Sequence, residues 1–183
     1  MILNRAKFST AIGLLNYLWT GAENNPGVVC IGTDHNFFND YLKKINTASD
    51  RPDNKGRSKT DSNIYLYDKK SLLIEEKIKA YLEGTAKDTD LKPLFIFGTA
   101  FEKKVWNAAR SILYGKTLSY GDIAGICGNP NAGRAVGNAL GKNPVIIIVP
   151  CHRVIKSDGS FGGFSAGPGL KKRLLNLEGV HID

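Results

Sequence analysis

The most constraining feature of the chain is a run of five branched apolar residues at 145–149, enclosed by two prolines. A half-exposed strand alternates apolar with polar residues, so this unbroken run predicts a short strand buried on both faces. Cys151, His152 and Arg153 follow immediately. Packing alone does not require a thiol, an imidazole and a guanidinium together, so this segment is the first candidate for chemistry.

The composition favours an intracellular protein with an ordinary apolar core. The 183 residues suffice for one large domain or two small ones. The three cysteines have no CxxC spacing, which indicates reduced thiols rather than a disulfide framework. No signal-peptide pattern and no apolar run of roughly 18 residues is present. We therefore expect a cytoplasmic, nucleoid-associated or nuclear protein without a membrane partner.

The positive charge is concentrated in the half of the chain that contains Cys151. Residues 1–91 carry 13 Lys and Arg against 12 Asp and Glu, whereas residues 92–183 carry 12 against 5. A basic surface beside a reactive group favours a polyanionic partner, with nucleic acid first. The positive charge alone could also serve only to keep the protein soluble.

Residues 1–91 are predicted to form an α/β domain. Two strand-like patterns, at 14–19 and 28–31, are followed by two helical patterns, at 37–45 and 71–83. The polar residues 46–63 predict an exposed loop or a disordered insert. A polar linker at 85–93 places the second domain at 92–183.

One pair of residues in the first half has the composition of a metal site. Cys30 and His35 could each bind zinc, but no second Cys/His pair accompanies them in the sequence. A strand thiol and a loop imidazole explain them better. We therefore expect no metal site.

Two capping boxes mark helix starts in the second half. Thr99 and Glu102 form one, and Ser119 and Asp122 form the other. Tyr120 follows the second cap, where free backbone N–H groups and the positive end of the helix dipole favour a phosphate. A tyrosine simply packed at a helix start is the alternative.

The next predicted helix is rich in small residues. It opens at Asn129 with proline following, and Arg134 and Asn138 share one face. Interior glycines destabilise a helix by roughly 1 kcal/mol each, so close approach to another surface should offset that cost. Two short helices of this kind predict a helix-turn-helix directed at DNA, with a tightly packed internal helix pair as the alternative.

Cys151 needs a base to act as a nucleophile, because the thiolate is the reactive form. His152 could be that base, but successive side chains on a strand point to opposite faces. Either the chain turns just before Cys151 or a water bridges the two side chains. An orienting carboxylate is also required, and Glu178 is a better candidate than Asp122 or Asp158. An inert buried thiol remains the alternative.

Several of these motifs together resemble one known family. Residues 150–154, preceded by 143–144 and 134–137, are similar to the active-site region of the O6-alkylguanine-DNA alkyltransferases. The segments at 98–106, 119–124 and 178–179 match that family's other motifs, so the resemblance covers about residues 94–179. It implies an RNase H-like α/β N-terminal domain and a mainly α C-terminal domain with a winged-helix-like helix-turn-helix.

The resemblance also implies a reaction that needs no cofactor. Cys151 would take the alkyl group from O6-alkylguanine in duplex DNA, with O4-alkylthymine as a further substrate. The reaction would repair the DNA in one irreversible turnover, and the free protein would be a monomer. His152 would be a base acting through water, oriented by Glu178, while Asn143 holds the active-site turn. The residues implied to act on the DNA or the flipped base are Tyr120, Arg134, Ala135, Gly137, Asn138, Val154 and Ser165.

The sequence departs from the family pattern at three positions, and two other functions fit it less well. Glu102 replaces a usual Gln, with little expected effect, and Phe164 and Ala166 replace a usual Tyr and Gly. We expect the Ala166 methyl to narrow the pocket against bulky adducts such as O6-benzylguanine. A non-catalytic DNA-damage sensor is disfavoured because such proteins lack the reactive cysteine. A cysteine hydrolase is disfavoured because no oxyanion donor is evident.

Overall fold

The N-terminal half contains a mixed sheet with two helices. The computed structural model describes residues 4–22, 25–33, 39–45 and 68–182. The elements are β1 (Asn4–Thr10), β2 (Gly13–Ala22), β3 (Asn25–Gly32), α1 (39–45), α2 (Lys69–Leu82) and β4 (Lys92–Pro93). The first three strands are antiparallel neighbours, and β4 pairs in parallel with β3. The predicted loop at 46–63 and the first two residues of the helix predicted at 37–45 lie outside the described residues.

The C-terminal half is mainly helical. Its elements are α3 (Ala100–Arg110), β5 (Leu118–Ser119), α4 (Tyr120–Ile126), α5 (Gly133–Gly141), a 3-10 turn (Cys151–Arg153), β6 (Val154–Ile155) and α6 (Pro168–Leu177). The short strands β5 and β6 pair in parallel, which places the start of α4 beside the segment that follows Cys151.

Both predicted capping boxes are present. The Thr99 hydroxyl accepts from the Glu102 N–H, and the Glu102 carboxylate accepts from the Thr99 N–H at 2.8 Å. Ser119 and Asp122 make the same reciprocal pair at the start of α4. These hydrogen bonds satisfy N–H groups that have no partner within the helix, so they fix where α3 and α4 begin.

The predicted buried strand at 145–149 is wrong, although its burial is confirmed. The segment makes a tight turn in which the Val149 N–H donates to the Val145 carbonyl at 2.9 Å. Ile147 has a φ of 72°, which is rare for a β-branched residue. Apolar runs of this length report burial and cannot separate a strand from another buried backbone. Here the backbone hydrogen bonds are made within the turn, and the Ile31 N–H donates to the carbonyl of Pro144 at 2.8 Å.

The predicted start of the Gly/Ala-rich helix at Asn129 is also wrong, because α5 begins at Gly133. The Asn129 N–H closes the end of α4 by donating to the Ala124 carbonyl, and its side-chain oxygen accepts from the Asn131 N–H at 3.1 Å. Asparagine stabilises such local turns as readily as it caps helices. Sequence alone therefore misplaced the boundary by one turn.

One continuous apolar core joins the two halves. It contains Trp19 and Ile78 from the first half together with Trp106 and Leu174 from the second. The Trp106 indole N–H donates to the Ala139 carbonyl at 2.8 Å, tying α3 to α5. The domain boundary at 91/92 stays a prediction, and β4, just beyond it, belongs to the N-terminal sheet. In the described ranges, no helix is both long and apolar enough to cross a bilayer.

Candidate active site

The backbone turns at Pro150, as one of the two sequence alternatives required. Cys151–Arg153 form a single 3-10 turn, closed by the Arg153 N–H donating to the Pro150 carbonyl at 2.9 Å. The side chains of Cys151 and His152 are therefore presented by a turn and not by a strand. Both are buried, with exposed fractions of 4% and 0%.

Asn143 holds the turn and also contacts the thiol. Its side-chain N–H group donates to the Val149 carbonyl and to Cys151 Sγ, each at 3.1 Å, while its oxygen accepts from the Val145 N–H. Burial raises the pKa of the Cys151 thiol, and the hydrogen bond from Asn143 opposes that rise. Asn143 thus links the shape of the buried turn to the reactivity of the sulfur.

His152 pairs with Glu178, the carboxylate chosen from the sequence. Nε2 of His152 lies 2.9 Å from Glu178 Oε1. An ionised carboxylate only accepts, so we assign the proton of the neutral ring to Nε2. Nδ1 then carries the lone pair, and this buried atom has no hydrogen-bond partner among the described residues. Burial is the main reason that the pKa of His152 is lowered, which favours the neutral ring.

Arg153 makes the second contact with the same carboxylate. Its Nε and Nη2 atoms donate to Glu178 at 2.9–3.1 Å, and Nη1 donates to the Ile112 carbonyl at 2.6 Å. Burial alone would raise the pKa of Glu178, but the hydrogen bonds from His152 and Arg153 outweigh it and lower the pKa to about 2. Glu178 therefore stays ionised beside His152 at every physiological pH.

A tyrosine from the N-terminal half completes this buried group. Tyr81, in α2, donates its hydroxyl to Glu178 Oε1 at 2.5 Å and lies 3.2 Å from His152 Nε2. Burial is the largest cause of the raised pKa of Tyr81, so the hydroxyl remains a donor. The His152–Glu178 pair of the C-terminal half is thus contacted by a side chain of the N-terminal half.

Cys151 opens onto a cavity of about 390 Å³ beside α5. The cavity is lined by α5, the start of α4, Lys156 and the Gly-rich loop at 161–167. The lining includes Tyr120, Arg134, Gly137, Asn138, Phe164 and Ser165. Its size suits a molecule as large as a nucleobase with a small substituent. Arg134 lines this cavity and is exposed to solvent, so its side chain can contact a ligand that approaches the cavity.

The Gly-rich loop is held against the site by two donors to one carbonyl. The Tyr120 hydroxyl donates to the Gly163 carbonyl at 3.2 Å, and Lys171 Nζ reaches the same oxygen at 3.4 Å. Lys171 also donates to the Val154 carbonyl at 2.6 Å. Burial lowers the pKa of Lys171 to about 8. This lysine places a positive charge close to Cys151, which opposes the rise in the pKa of the thiol.

The sequence and the fold are similar to those of known proteins. Residues 100–180 match the model of the 6-O-methylguanine DNA methyltransferase DNA-binding domain. A methylated-DNA--protein-cysteine methyltransferase of Methanosarcina acetivorans is 50% identical over 103 residues, which are 56% of this chain and 65% of that protein. The protein of the same name from Kluyveromyces lactis is 36% identical over 159 residues, covering 80% of each chain.

The chain belongs to the methylated-DNA--protein-cysteine methyltransferase family. The fold agrees over nearly the whole length. A structure of Mycobacterium tuberculosis OGT in complex with DNA superposes with a TM-score of 0.71 at 28% identity, covering 96% of this chain and 92% of that one. The mixed sheet followed by a mainly helical half is therefore the arrangement of this methyltransferase family.

Most of the residues chosen from the sequence lie together in the structure. Cys151, His152, Glu178 and Asn143 form one buried group, and Tyr120, Arg134, Gly137, Asn138 and Ser165 line the adjoining cavity. Two do not line it: Ala135 is exposed on α5, and Val154 is buried in β6. Ala166 does not line the main cavity. It lines a neighbouring, smaller cavity of about 40 Å³ together with Asn143 and Ser165.

Sequence reasoning assigned no role to three contributors to the site. Tyr81 and Lys171 were not singled out, and Arg153 was noted only as a neighbour of Cys151 and His152. A buried Lys or Arg cannot be told from an exposed one by helical spacing when the polar and apolar faces meet at that position. Tyr81 could not be placed because its partner lies 97 residues further along the chain.

Proposed function

We propose that this protein repairs DNA by transferring an alkyl group from O6-alkylguanine to Cys151 once per molecule. The observation that carries the proposal is the buried Cys151, which accepts from Asn143, follows a tight turn and opens onto a cavity large enough for a base. The reaction needs no cofactor. O4-alkylthymine, which presents an alkylated exocyclic oxygen on a smaller base, is proposed as a further substrate.

The proposed nucleophile is the Cys151 thiolate. His152 accepts the thiol proton at Nδ1 through a bridging water, which suits an unpartnered buried nitrogen. Glu178 remains ionised and stabilises the imidazolium that forms, as in other Cys-His and Ser-His sites. Sγ then attacks the alkyl carbon in line with its bond to O6. The S–C bond forms as the C–O6 bond breaks, and the electron pair of that bond stays on guanine.

Tyr120 is proposed to assist departure of the guanine. Its hydroxyl lines the cavity and, chiefly because of burial, has a raised pKa, so it remains a proton donor. Hydrogen bonding from this hydroxyl to guanine N3 disperses the negative charge that develops as the C–O6 bond breaks. The proton lost by the thiol is balanced by the proton that restores N1 of guanine. The thioether on Cys151 has no leaving path, which limits each molecule to one turnover.

DNA binding is proposed for α4 and α5, acting as a helix-turn-helix. The proposed fold types are winged-helix-like for the C-terminal half and RNase H-like for the N-terminal half. Arg134 projects from α5 at the cavity edge and would replace the extruded nucleotide in the stack. Ala135, Gly137 and Asn138 would line the approach to the minor groove, where small residues let the helix come close. Val154 and Ser165 would contact the base edge through their backbone. The free protein is proposed to be a monomer.

Intact-mass spectrometry after incubation with duplex DNA carrying O6-methylguanine tests the proposal. We expect one methyl group per protein molecule, located on Cys151 and absent from Cys151→Ala, with Cys127→Ala as the matched control that still reacts. Repeated turnover by one molecule contradicts the proposal. So does tight binding of the damaged DNA without a change in mass, the behaviour of a damage sensor.

A further inference from the structure

The hydroxyl group of Tyr81, in the N-terminal half, donates a hydrogen bond to the Glu178 oxygen that orients His152, the proposed base. Tyr81 in α2 and His152 after the Pro150 turn both contact Oε1 of Glu178, at 2.5 Å and 2.9 Å. On the basis of the proposed alkyl transfer, we propose that Tyr81 is a positioning residue that tunes the His152–Glu178 pair for proton transfer from Cys151.

The contact is more specific than a buried tyrosine requires. The Tyr81 ring already packs edge-on against Tyr114, with centroids 6.1 Å apart, and that packing needs no hydroxyl. A buried hydroxyl needs one partner, which a backbone carbonyl could provide, as Leu177 does for Tyr114 at 2.8 Å. Tyr81 instead donates to the carboxylate oxygen that His152 uses.

Sharing one oxygen makes the two hydrogen bonds compete. Oε1 of Glu178 accepts from Tyr81, from His152 and from Arg153. Each additional donor disperses part of the carboxylate charge and weakens its hold on the Nε2 proton of His152. Removal of the Tyr81 hydroxyl leaves a more negative carboxylate, which stabilises the imidazolium and raises the pKa of His152. An imidazolium cannot accept the thiol proton.

The other charges around His152 are fixed while Tyr81 is changed. The titratable or charged groups that act on the ring from the surrounding elements are Arg153, Lys171, Glu178 and Tyr81, and Cys151 precedes it directly in the chain. Arg153 and Lys171 favour the neutral ring, whereas Glu178 favours the charged one. Of these, only Tyr81 comes from the N-terminal half, so a substitution there leaves the covalent neighbourhood of Cys151 intact.

The test compares Tyr81→Phe with Tyr114→Phe in the full chain. Both variants lose one hydroxyl near Glu178, but Tyr114 donates to a backbone carbonyl and not to the carboxylate. Single-turnover methyl transfer is measured at saturating duplex DNA from pH 6 to 9, with DNA affinity and thermal unfolding as additional readouts. A hydrogen bond to a charged group corresponds to about tenfold in rate.

For Tyr81→Phe we expect a transfer rate about tenfold lower near pH 6.5, unchanged DNA affinity, and a deficit that shrinks as the pH rises and His152 loses its proton. Tyr114→Phe should show no such pH-dependent deficit. An equal deficit at every pH, or the same profile in both variants, would mean a purely structural role and overturn the proposal. Unchanged rates in Tyr81→Phe would overturn it as well.

A failure of the proposed function gives a different pattern. If the wild-type chain transfers no methyl group, the repair proposal fails, and the pH profile of Cys151 alkylation by iodoacetamide replaces DNA as the readout for Tyr81. The same difference between Tyr81→Phe and wild type is expected there, because the thiol proton still passes to His152. Identical alkylation profiles in the two proteins reject the role of Tyr81.

Discussion

Gly162 lies so close to Tyr120 that a β-carbon at Gly162 would be 2.7 Å from the phenolic oxygen and 2.8 Å from the ring. Gly162 also has a φ of 65°, a conformation that other residues adopt at a cost. The Gly-rich loop therefore sets the position of the tyrosine whose hydroxyl, in the proposed mechanism, stabilises the negative charge on the departing guanine.

Gly162→Ala should slow methyl transfer by about tenfold or more, because Tyr120 must move away from its place in the cavity. Gly163→Ala is the matched control, since a β-carbon there has no atom within 4 Å. Single-turnover rates on duplex O6-methylguanine DNA measure both. Equal rates for the two variants would show that the position of Tyr120 is unimportant.

Asn143→Ala should make the Cys151 thiol less acidic. The hydrogen bond from Asn143 favours the thiolate, so its loss raises the pKa of Cys151 and reduces the reactive fraction at neutral pH. A charge-assisted hydrogen bond of about 1.5–3 kcal/mol corresponds to a rate loss of roughly 10- to 100-fold. The pH dependence of alkylation by iodoacetamide, with the exposed Asn176→Ala as control, measures the shift. An unchanged profile contradicts the assigned role.

Arg134→Ala should impair reaction with duplex DNA far more than reaction with the free base O6-methylguanine. Extrusion of a nucleotide costs a few kcal/mol, and the proposed insertion of Arg134 offsets part of that cost. The free base needs no extrusion. Rates on both substrates are compared with those of Lys92→Ala, which removes an exposed positive charge on β4. A similar loss on the free base would place Arg134 in the chemical step.

Glu178→Gln should destabilise the protein by about 3–5 kcal/mol at neutral pH, because Arg153 is left buried without its charged partner. The folded-state pKa of Glu178 lies below its ordinary value, so its contribution is full above about pH 4.5 and declines as the pH falls toward about 2. Urea unfolding of both proteins at several pH values should show the difference narrowing over that interval.

Glu102→Gln is the matched control for that experiment. Glu102 pairs with Lys142 at 2.6 Å, but the lysine side chain is 68% exposed and glutamine can still complete the capping box with Thr99. Its free energy of unfolding should change by only about 0–1 kcal/mol. An equal loss in both variants would argue against a special role for the buried carboxylate.

Local signals in the sequence located the helix starts and the chemical group. Thr99 and Ser119 each carry their capping partner three residues ahead, so α3 and α4 began where predicted. Cys151 and His152 were recognised because polar, reactive side chains directly after an apolar run have no packing reason. Glu178 followed from the need for an orienting carboxylate, and the contact with His152 is present.

Features that depend on distant contacts were not accessible from the sequence. The turn at 145–149 has the composition of a strand, but its backbone hydrogen bonds are made within the turn and, at the preceding Pro144, with Ile31 from a distant part of the chain. Lys171 lies on a helix whose other lysine and arginine neighbours are exposed, yet its buried ammonium group donates to the carbonyls of Val154 and Gly163. Tyr81 differs from an ordinary core tyrosine only by the identity of its partner.

The position of Tyr81 limits how the two halves of this protein could be recombined. A chimera that carried an N-terminal half from another protein would need a hydroxyl at this point of α2, and a strand edge able to receive Pro144 as Ile31 does. Grafting the C-terminal half alone would remove one hydrogen-bond donor from Glu178 and one support from the turn that leads to Cys151. The unit of exchange is therefore the whole chain.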